Sequence, residues 1–234
     1  FGKIIWGQYL PIEFFNKNYY NNKSIKKDGN FFVKKIVFIN NKIKIFTDLQ
    51  TRFAIHSGEG TDNKKQFVNF QSNYLFFNPK LGVNYSISEK SQLYVSYARS
   101  NREPVRSDFV DSIKKPKHET LFDYEIGFKQ KIKKGTININ FYWMQYKNQL
   151  LLTGEVNDVG GYIRKNAEKS KRFGVEFENN LIINSQLSMD NNITLAKNLV
   201  FNYNEIIYDY GINWNEFNII NNRYKKTNLA FSPS

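Results

Sequence analysis

Four segments of the sequence alternate between apolar and polar residues with a period of two. The segments are residues 79–87, 122–129, 137–144 and 172–178. In the second, apolar residues alternate with polar or small ones, namely Phe122, Tyr124, Ile126 and Phe128 with Asp123, Glu125, Gly127 and Lys129. Successive side chains of an extended strand point to opposite faces, so each segment predicts a strand with one apolar and one polar face.

The polar faces restrict where such strands can lie, because their carboxylates and lysines need water. A sheet closed around a hydrated lumen, with its apolar face in lipid, satisfies both faces at once. Aromatic residues make up 17% of the chain, including 15 Tyr and 21 Phe, which suits the aromatic girdles of membrane barrels. No apolar run is long enough for a membrane-spanning helix. The sequence therefore favours a membrane-embedded β-sheet.

Turn residues divide the chain into about ten candidate strands joined alternately by short and long connections. The strands are predicted near residues 3–9, 30–39, 42–55, 74–87, 91–101, 119–133, 135–147, 168–183, 186–198 and 222–231. The long connections are predicted at 10–29, 56–73, 102–118, 148–167 and 199–221. This rhythm is typical of an up-and-down barrel with tight periplasmic turns and long extracellular loops. The predicted fold is all-β, a transmembrane antiparallel up-and-down β-barrel that is only partial, in one domain over residues 1–234.

The chain is basic, with 34 Lys and Arg against 21 Asp and Glu and a net charge of +13. The lysines cluster in segments that we interpret as loops rather than along one helix or stripe, which argues against nucleic-acid binding. Basic loops at an outer surface would instead meet lipopolysaccharide phosphates or attract anionic ligands. The chain has no cysteine, which excludes disulfides and thiolate metal sites.

The middle of the chain resembles a known family in the order and spacing of its motifs. These are FFNPKLGVNYSIS, LYVSYARSNREPVRSDF, KPKHETLFDYEIGFKQ, NINFYWMQYKNQLLLTGEVNDVGGYIRKN and KSKRFGVEFE, within Phe76 to Glu178. Together they resemble the C-terminal half of the barrel in TonB-dependent outer-membrane receptors of the Bacteroidetes type. The resemblance covers roughly the central half of the chain.

The resemblance implies a bacterial outer-membrane receptor rather than an enzyme. Such receptors have a 22-stranded barrel filled by an N-terminal plug. They bind scarce nutrients such as ferric siderophores, and the TonB complex drives transport through a short N-terminal box. Signal, TonB box, plug and early strands have no counterpart in this sequence, so the resemblance also implies a fragment of a longer receptor, with no cofactor of its own.

Two arginines are candidate ligand-binding residues, Arg102 and Arg106, because they follow a predicted strand where an extracellular loop begins. Their planar guanidinium groups could bind a carboxylate-rich or phosphate-bearing ligand. Alternatively, they pair with Glu103 and Asp108 and hold the loop over the rim.

Six charged residues are predicted to face the lumen: Asp123, Glu125, Lys129, Arg172, Glu176 and Glu178. Carboxylates two apart on a strand share a face, so a hydrolase pair is conceivable at 123 and 125 or at 176 and 178. That geometry recurs in every strand with a polar face, and salt bridges to a plug are the favoured interpretation. The only histidines, His56 and His118, are far apart in sequence and predict no metal site.

Two alternatives remain open from the sequence. The chain could be a complete small outer-membrane barrel of about ten strands that acts as a pore or adhesin. It could also be a soluble all-β carbohydrate-binding module, which would use aromatic strands as well. Dependence on detergent for folding separates the soluble alternative from both membrane interpretations.

Overall fold

The computed structural model describes residues 21–61, 67–111, 114–157, 161–212 and 217–229. Their strands form one sheet in the order β1 to β9, and each strand is antiparallel to its neighbour in sequence. The strands are β1 (Asn21–Phe38), β2 (Ile43–Thr61), β3 (Phe67–Ser86), β4 (Ser91–Arg102), β5 (Glu119–Ile132), β6 (Gly135–Val156), β7 (Tyr162–Ile182), β8 (Ser188–Asp209) and β9 (Asn218–Asn228). The predicted succession of antiparallel strands is confirmed, and the strand predicted near residues 3–9 lies outside the described residues.

The two ends of the sheet differ in their connections. At one end, short turns span residues 39–42, 87–90, 133–134 and 183–187. At the other end, the longest connection joins β4 to β5 over residues 103–118. We call these the turn end and the loop end. The short connections that the sequence predicts between these strands are the same ones that lie at the turn end.

Most strands continue further towards the loop end than the sequence predicts. The β2–β3 hairpin stays paired up to Thr61 and Phe67, and β6 pairs with β7 up to Val156 and Tyr162. The prediction of long loops at 56–73 and 148–167 is therefore wrong. The loops predicted at 10–29 and 199–221 are also wrong in extent, because β1 begins at Asn21, β8 continues to Asp209 and β9 begins at Asn218. Polar residues interrupt the apolar alternation there, so the period-two signal fades, while backbone hydrogen bonding, which needs no apolar side chain, continues.

The register gives the sheet an apolar and a polar face. One row of paired residues crosses the sheet through Leu81, Tyr97, Tyr124, Trp143 and Phe173. This outer face is exposed in the chain; Trp143, for example, is 45% exposed. A row on the opposite, inner face runs through Asp48, Lys80, Ala98, Asp123, Met144 and Arg172. The alternation predicted from the sequence is thus confirmed across the sheet.

Aromatic rings on the inner face lie over glycines of the neighbouring strand. Tyr94 of β4 is paired with Gly127 of β5, and Tyr142 of β6 with Gly174 of β7. A Cβ atom at position 127 would lie 2.2 Å from Cε1 of Tyr94. Only glycine leaves room for the ring at this point, so the rings fill the space that missing side chains leave across the sheet.

Strands β3 and β4 are paired only near the turn end and separate towards the loop end. These strands pair only from Lys80 to Ser86 with Gln92 to Ala98, although β3 continues towards the loop end from Phe67. Side chains bond the free edge: Asn101 Nδ2 donates to Phe77 O at 3.2 Å and to Asn78 Oδ1 at 2.8 Å. Near the loop end, the edge of β3 that faces β4 therefore forms hydrogen bonds with side chains instead of with a neighbouring strand.

The connection from β4 to β5 contains a short helix, α1 (Arg106–Val110), which the sequence does not predict. Asp108 Oδ2 accepts a hydrogen bond from the Val105 amide at 2.8 Å and so satisfies one amide at its N-terminus. Five residues are too few to show a helical period. None of the helices in the described ranges has the length and apolar character needed to cross a membrane.

Candidate functional site

Residues 103–118, which we call the bridging segment, lie against the inner face near the loop end; residues 112 and 113 are not described. Glu103, Pro104, Asp108 and Phe109 are buried in it, although much of the inner face is open. The bridging segment therefore folds back onto the inner face of the sheet.

Glu103 anchors the start of the bridging segment to β1 and β2. Its side chain is 6% exposed and accepts two hydrogen bonds from the Arg52 guanidinium, both at 2.7 Å. Lys26 Nζ lies 2.7 Å from the same carboxylate. Arg52 also donates to Asp28, with Nε at 3.0 Å from Oδ1. A bidentate arginine–carboxylate pair with low exposure is a strong and directional interaction.

The pKa of Glu103 makes this anchor dependent on pH. Burial alone would raise the pKa, but hydrogen bonds from Arg52 and Lys26 outweigh burial and lower it from 4.5 to about 2. Because the folded pKa is the lower one, the stabilisation is complete above pH 4.5 and is lost progressively as the pH falls towards 2, by about 3 kcal/mol in all. After correction for the intrinsic exchange rate, which itself depends on pH, we expect the hydrogen-exchange protection of residues 103–118 to fall over this pH window. Glu103→Gln should remove the pH dependence, and a wild-type profile that stays flat from pH 5 to 2 would contradict the assignment.

The middle of the bridging segment contacts strands on both sides of the sheet. Asp108 Oδ1 accepts a hydrogen bond from Arg164 Nε of β7 at 2.9 Å. The adjacent Phe109 stacks on Phe70 of β3, with ring centroids 4.3 Å apart. His56 of β2 packs edge-on against both rings, at 5.1 Å from Phe70 and 5.6 Å from Phe109. Two consecutive residues thus bridge strands β3 and β7.

This bridge indicates that the sheet is curved. On a flat sheet, β3 and β7 are four strand spacings apart, or about 19 Å. Consecutive Cα atoms are only about 3.8 Å apart. Asp108 and Phe109 reach both strands most readily when the wall curls towards them. We infer that the inner face is concave at the loop end, which creates a sheltered and partly polar space.

The two candidate arginines lie at the edge of this space. Arg102 NH2 donates to Glu119 Oε1 of β5 at 2.9 Å, and 57% of the Arg102 side chain remains exposed. Arg106 is exposed in the first turn of α1. The alternative in which Arg102 pairs with Glu103 is wrong, because the Arg52 pair occupies that carboxylate. The acids do hold the loop down, but they bond to distant strands. A ligand-binding role for Arg102 and Arg106 remains a prediction.

The six charged residues predicted to face a lumen share the inner face. Asp123 and Arg172 lie in one register row, and Glu125, Lys129, Glu176 and Glu178 lie at alternate positions of the same two strands. The two glutamates of β7 accept hydrogen bonds from asparagines: Asn140 Nδ2 donates to Glu176 at 3.2 Å and Asn192 Nδ2 to Glu178 at 3.4 Å. The inner face at β7 is therefore a polar surface on which asparagine side chains hydrogen-bond the two carboxylates.

Sequence reasoning missed the residues that hold the bridging segment, namely Lys26, Arg52, Arg164, His56 and Phe109. Lys26 was assigned to a loop, but it lies in β1. The charge at Arg52 within an alternating strand was the available signal. Its partner Glu103 is 51 residues away, so only the register reveals the pair. Within the part of the chain that the structure describes, no group of three His, Cys, Asp or Glu could hold a metal ion.

Several solved structures share this fold at low sequence identity. The ferric yersiniabactin uptake receptor FyuA from Yersinia pestis superposes with a TM-score of 0.62 and 14% identity, over 80% of this chain and 32% of that protein. The ferric-catecholate import receptor Fiu from E. coli K12 gives 0.59 and 15%, over 79% and 29%. The FrpB iron transporter from Neisseria meningitidis gives 0.58 and 20%, over 78% and 27%. No curated protein matches the chain in sequence.

The chain spans about a third or less of the length of these structures. In this chain the part that superposes belongs to one sheet of antiparallel strands in sequence order. The family described as TonB dependent receptor-like, beta-barrel matches residues 5–233. This match covers nearly the whole sequence and includes every strand of the sheet, and the chain therefore belongs to the TonB-dependent receptor β-barrel family.

Proposed function

We propose that this chain is part of the barrel wall of a receptor that binds a scarce nutrient such as a ferric siderophore and imports it with energy from the TonB complex. The family is one of transport receptors in the bacterial outer membrane. The observation that carries the proposal is the bridging segment, which a bidentate Arg52–Glu103 pair holds against the concave inner face. Such an arrangement places a loop at the entrance of a lumen.

The barrel assignment extends, in our proposal, over all of residues 1–234 as one domain. The polar inner face then lines the lumen, and Asp123, Glu125, Lys129, Arg172, Glu176 and Glu178 face its contents. Strands β1 and β9, at the two ends of the sheet, pair with further strands of the wall. Closure in this way removes the unpaired edges that would otherwise promote aggregation.

The ligand in our proposal is anionic or carries acidic groups. Exposed Arg102 and Arg106 supply planar donors at the loop end, and arginine forks match carboxylates in both shape and charge. Fiu and FyuA are named for ferric ligands, which favours a ferric siderophore as the class. The soluble carbohydrate-binding alternative is set aside, because the family is a membrane-barrel family.

Uptake measurements in cells test this proposal. The receptor carrying this chain should restore uptake of a radiolabelled ferric siderophore only in cells that contain TonB. Arg102→Gln with Arg106→Gln should raise the KM for uptake about tenfold or more, because each charge-assisted hydrogen bond contributes about 1.5–3 kcal/mol. The matched control is Arg223→Gln, an exposed arginine of β9, which should leave the KM unchanged.

One outcome would contradict the proposed function, and another would contradict only the assignment of its binding residues. Uptake that persists without TonB would support the alternative of a small pore, which would also conduct ions in a planar bilayer. An unchanged KM in the double variant would exclude the two arginines from ligand binding while leaving TonB-dependent uptake in place.

A further inference from the structure

Both histidines of the chain lie where the bridging segment contacts the sheet. His56 of β2 is 5% exposed and packs against the rings of Phe70 and Phe109. His118 lies near the other end of the segment and packs against two rings of β3, that of Tyr74 at 6.1 Å and a phenyl ring at 5.4 Å. Each histidine is therefore part of a contact that holds the bridging segment against β2 and β3.

The hydrogen bonds of His56 leave one of its ring nitrogens without a partner. Ser24 Oγ lies 3.2 Å from His56 Nε2 and donates its single hydrogen to Ser57 O at 3.1 Å. Nε2 must therefore carry the ring proton and donate it to Ser24. The other nitrogen, Nδ1, then has a lone pair, and it is buried with no hydrogen-bond partner in the part of the chain that the structure describes. A second proton on His56 would enter at Nδ1, inside the contact.

The surroundings of His56 disfavour a positive charge on its ring. Burial lowers the pKa of His56 below 6.5, and the positive charges of Lys26 on β1 and Arg106 on α1 lower it further. The nearby carbonyl of Pro104 and the carboxylate of Glu103 act in the opposite direction. That carboxylate already bonds two cations, so it compensates a third only weakly.

The other neighbours of His56 add no free negative charge. Strand β3 faces it with Phe70 and with Ser72, its partner in the register. On the bridging segment, Asp108 precedes the ring that packs on His56, but its carboxylate is bonded to Arg164. Among these neighbours, every carboxylate is thus already paired.

His118 is in a similar environment at the other end of the bridging segment. Burial lowers the pKa of His118, and so do the positive charges of Arg99 and Lys147. The adjacent carboxylate, Glu119, is bonded to Arg102. A proton on His118 would therefore place a charge between the rings of β3 and two cations.

Both histidines lie beyond the membrane on the side of the loop end. The apolar band of an outer-membrane barrel is about 25 Å tall, so about ten residues of a tilted strand cross it. At the turn end, β2 begins at Ile43 and β5 ends at Ile132. His56 and His118 are each more than about ten residues from these points, so external protons can reach them when the bridging segment moves.

We propose that the bridging segment is a switch that acid releases: proton uptake by His56 and His118 detaches it from β2 and β3 and opens the concave inner face at the loop end. The strands of the wall stay paired during this release. The proposal requires neither a nutrient nor the TonB complex, and it adds control by pH to the entrance of the lumen.

The open form of the bridging segment binds more protons than the closed form. In the closed form the pKa of each histidine is below 6.5, whereas in the open form water restores a value of about 6.5. The closed form is therefore most stable above pH 6.5 and loses stability as the pH falls towards the folded pKa values. In this window each histidine raises the ratio of open to closed form by up to about tenfold per pH unit.

Hydrogen exchange in the refolded receptor that carries this chain tests the switch. Protection of residues 103–111 and 114–118, corrected for the intrinsic exchange rate, is measured between about pH 8 and pH 5, where Glu103 stays ionised. Wild type should lose protection by up to about a hundredfold per pH unit below pH 6.5. His56→Phe and His118→Phe, which keep a ring in each contact, should each reduce this slope to about tenfold. The double variant should keep its protection throughout.

Two controls separate proton uptake from other effects. Ser24→Ala removes the hydrogen bond to Nε2 but leaves His56 able to titrate, so it should keep the wild-type slope. The amides of Tyr124 and Ile126, which lie in the paired part of β5, should stay protected at every pH. Equal loss of protection there would overturn the proposal, because the whole barrel would then be unfolding. A flat wild-type profile would also overturn it, as would a wild-type slope in the double variant.

Discussion

Replacing Arg52 by methionine should release the bridging segment from the wall. The guanidinium is the main partner of Glu103, whose side chain is only 6% exposed, and removal of one member of a buried pair costs about 3–5 kcal/mol. Lys114 and Lys117 lie on the segment, and the peptide bonds that follow them can enter the active site of trypsin once the segment opens. We expect cleavage there to become about a hundredfold faster, because the cleavage rate follows the population of the open form.

The control for this experiment is an exposed ion pair between β2, the strand of Arg52, and β1. Asp48 lies 3.2 Å from Lys34, and the two side chains are 31% and 66% exposed. Asp48→Asn should change the cleavage rate little, since exposed pairs contribute about 0–1 kcal/mol. Adding Glu103→Leu to Arg52→Met should restore part of the protection by removing a buried carboxylate that has lost its bidentate partner. Unchanged cleavage in Arg52→Met would mean that the pair does not hold the segment.

A valine at position 174 should destabilise the whole wall. A Cβ atom there would lie 2.5 Å from the carbonyl oxygen of Leu195 on β8 and 2.7 Å from the hydroxyl oxygen of Tyr142. The tyrosine ring can rotate away, but the backbone oxygen cannot move without disturbing the pairing of β7 with β8. Overpacking of this kind costs about 3 kcal/mol. In urea unfolding of the receptor in lipid vesicles, the midpoint should fall with little change in slope.

Thr194→Val is the matched control for this change. Thr194 is exposed on the inner face of β8, where it is paired with Glu176, so the substitution should shift the free energy of unfolding by about 0.5 kcal/mol or less. Combining Gly174→Val with Tyr142→Ala relieves only the contact with the ring. We therefore expect partial recovery, and full recovery would show that the Leu195 oxygen is not the obstacle.

The sequence predicts the wall well because the wall follows a local rule. Alternation around Tyr124 and Trp143 identifies strands and assigns faces, and the observed register joins these residues in one row. Tight turns such as residues 133–134 fix neighbouring strands from a few residues. The extension of β2 to Thr61 escapes the same reasoning, because backbone pairing continues where side chains no longer alternate.

The site depends on interactions that no local pattern contains. The bond between Arg52 and Glu103 requires the register of β2 and also the path of the bridging segment across several strands. The contact of Asp108 with Arg164 joins residues 56 positions apart. Sequence reasoning identified the loop that carries Arg102 and Arg106 as important, but one of its two interpretations paired Arg102 with Glu103, whereas Arg102 bonds to Glu119. The curvature of the sheet brings Arg52 and Arg164, which lie on distant strands, to the carboxylates of the bridging segment.

The gap between β3 and β4 has a consequence for how such a receptor fails. From Lys80 towards the loop end, the amide and carbonyl groups of β3 lack a partner strand on one side among the described residues. Asn101 bonds part of that edge, and so does Lys115, whose Nζ donates to Gln71 O at 3.0 Å. If the bridging segment were detached, this edge would be free to recruit a strand from another molecule. Damage to one ion pair would then lead to clustering of receptors at the cell surface.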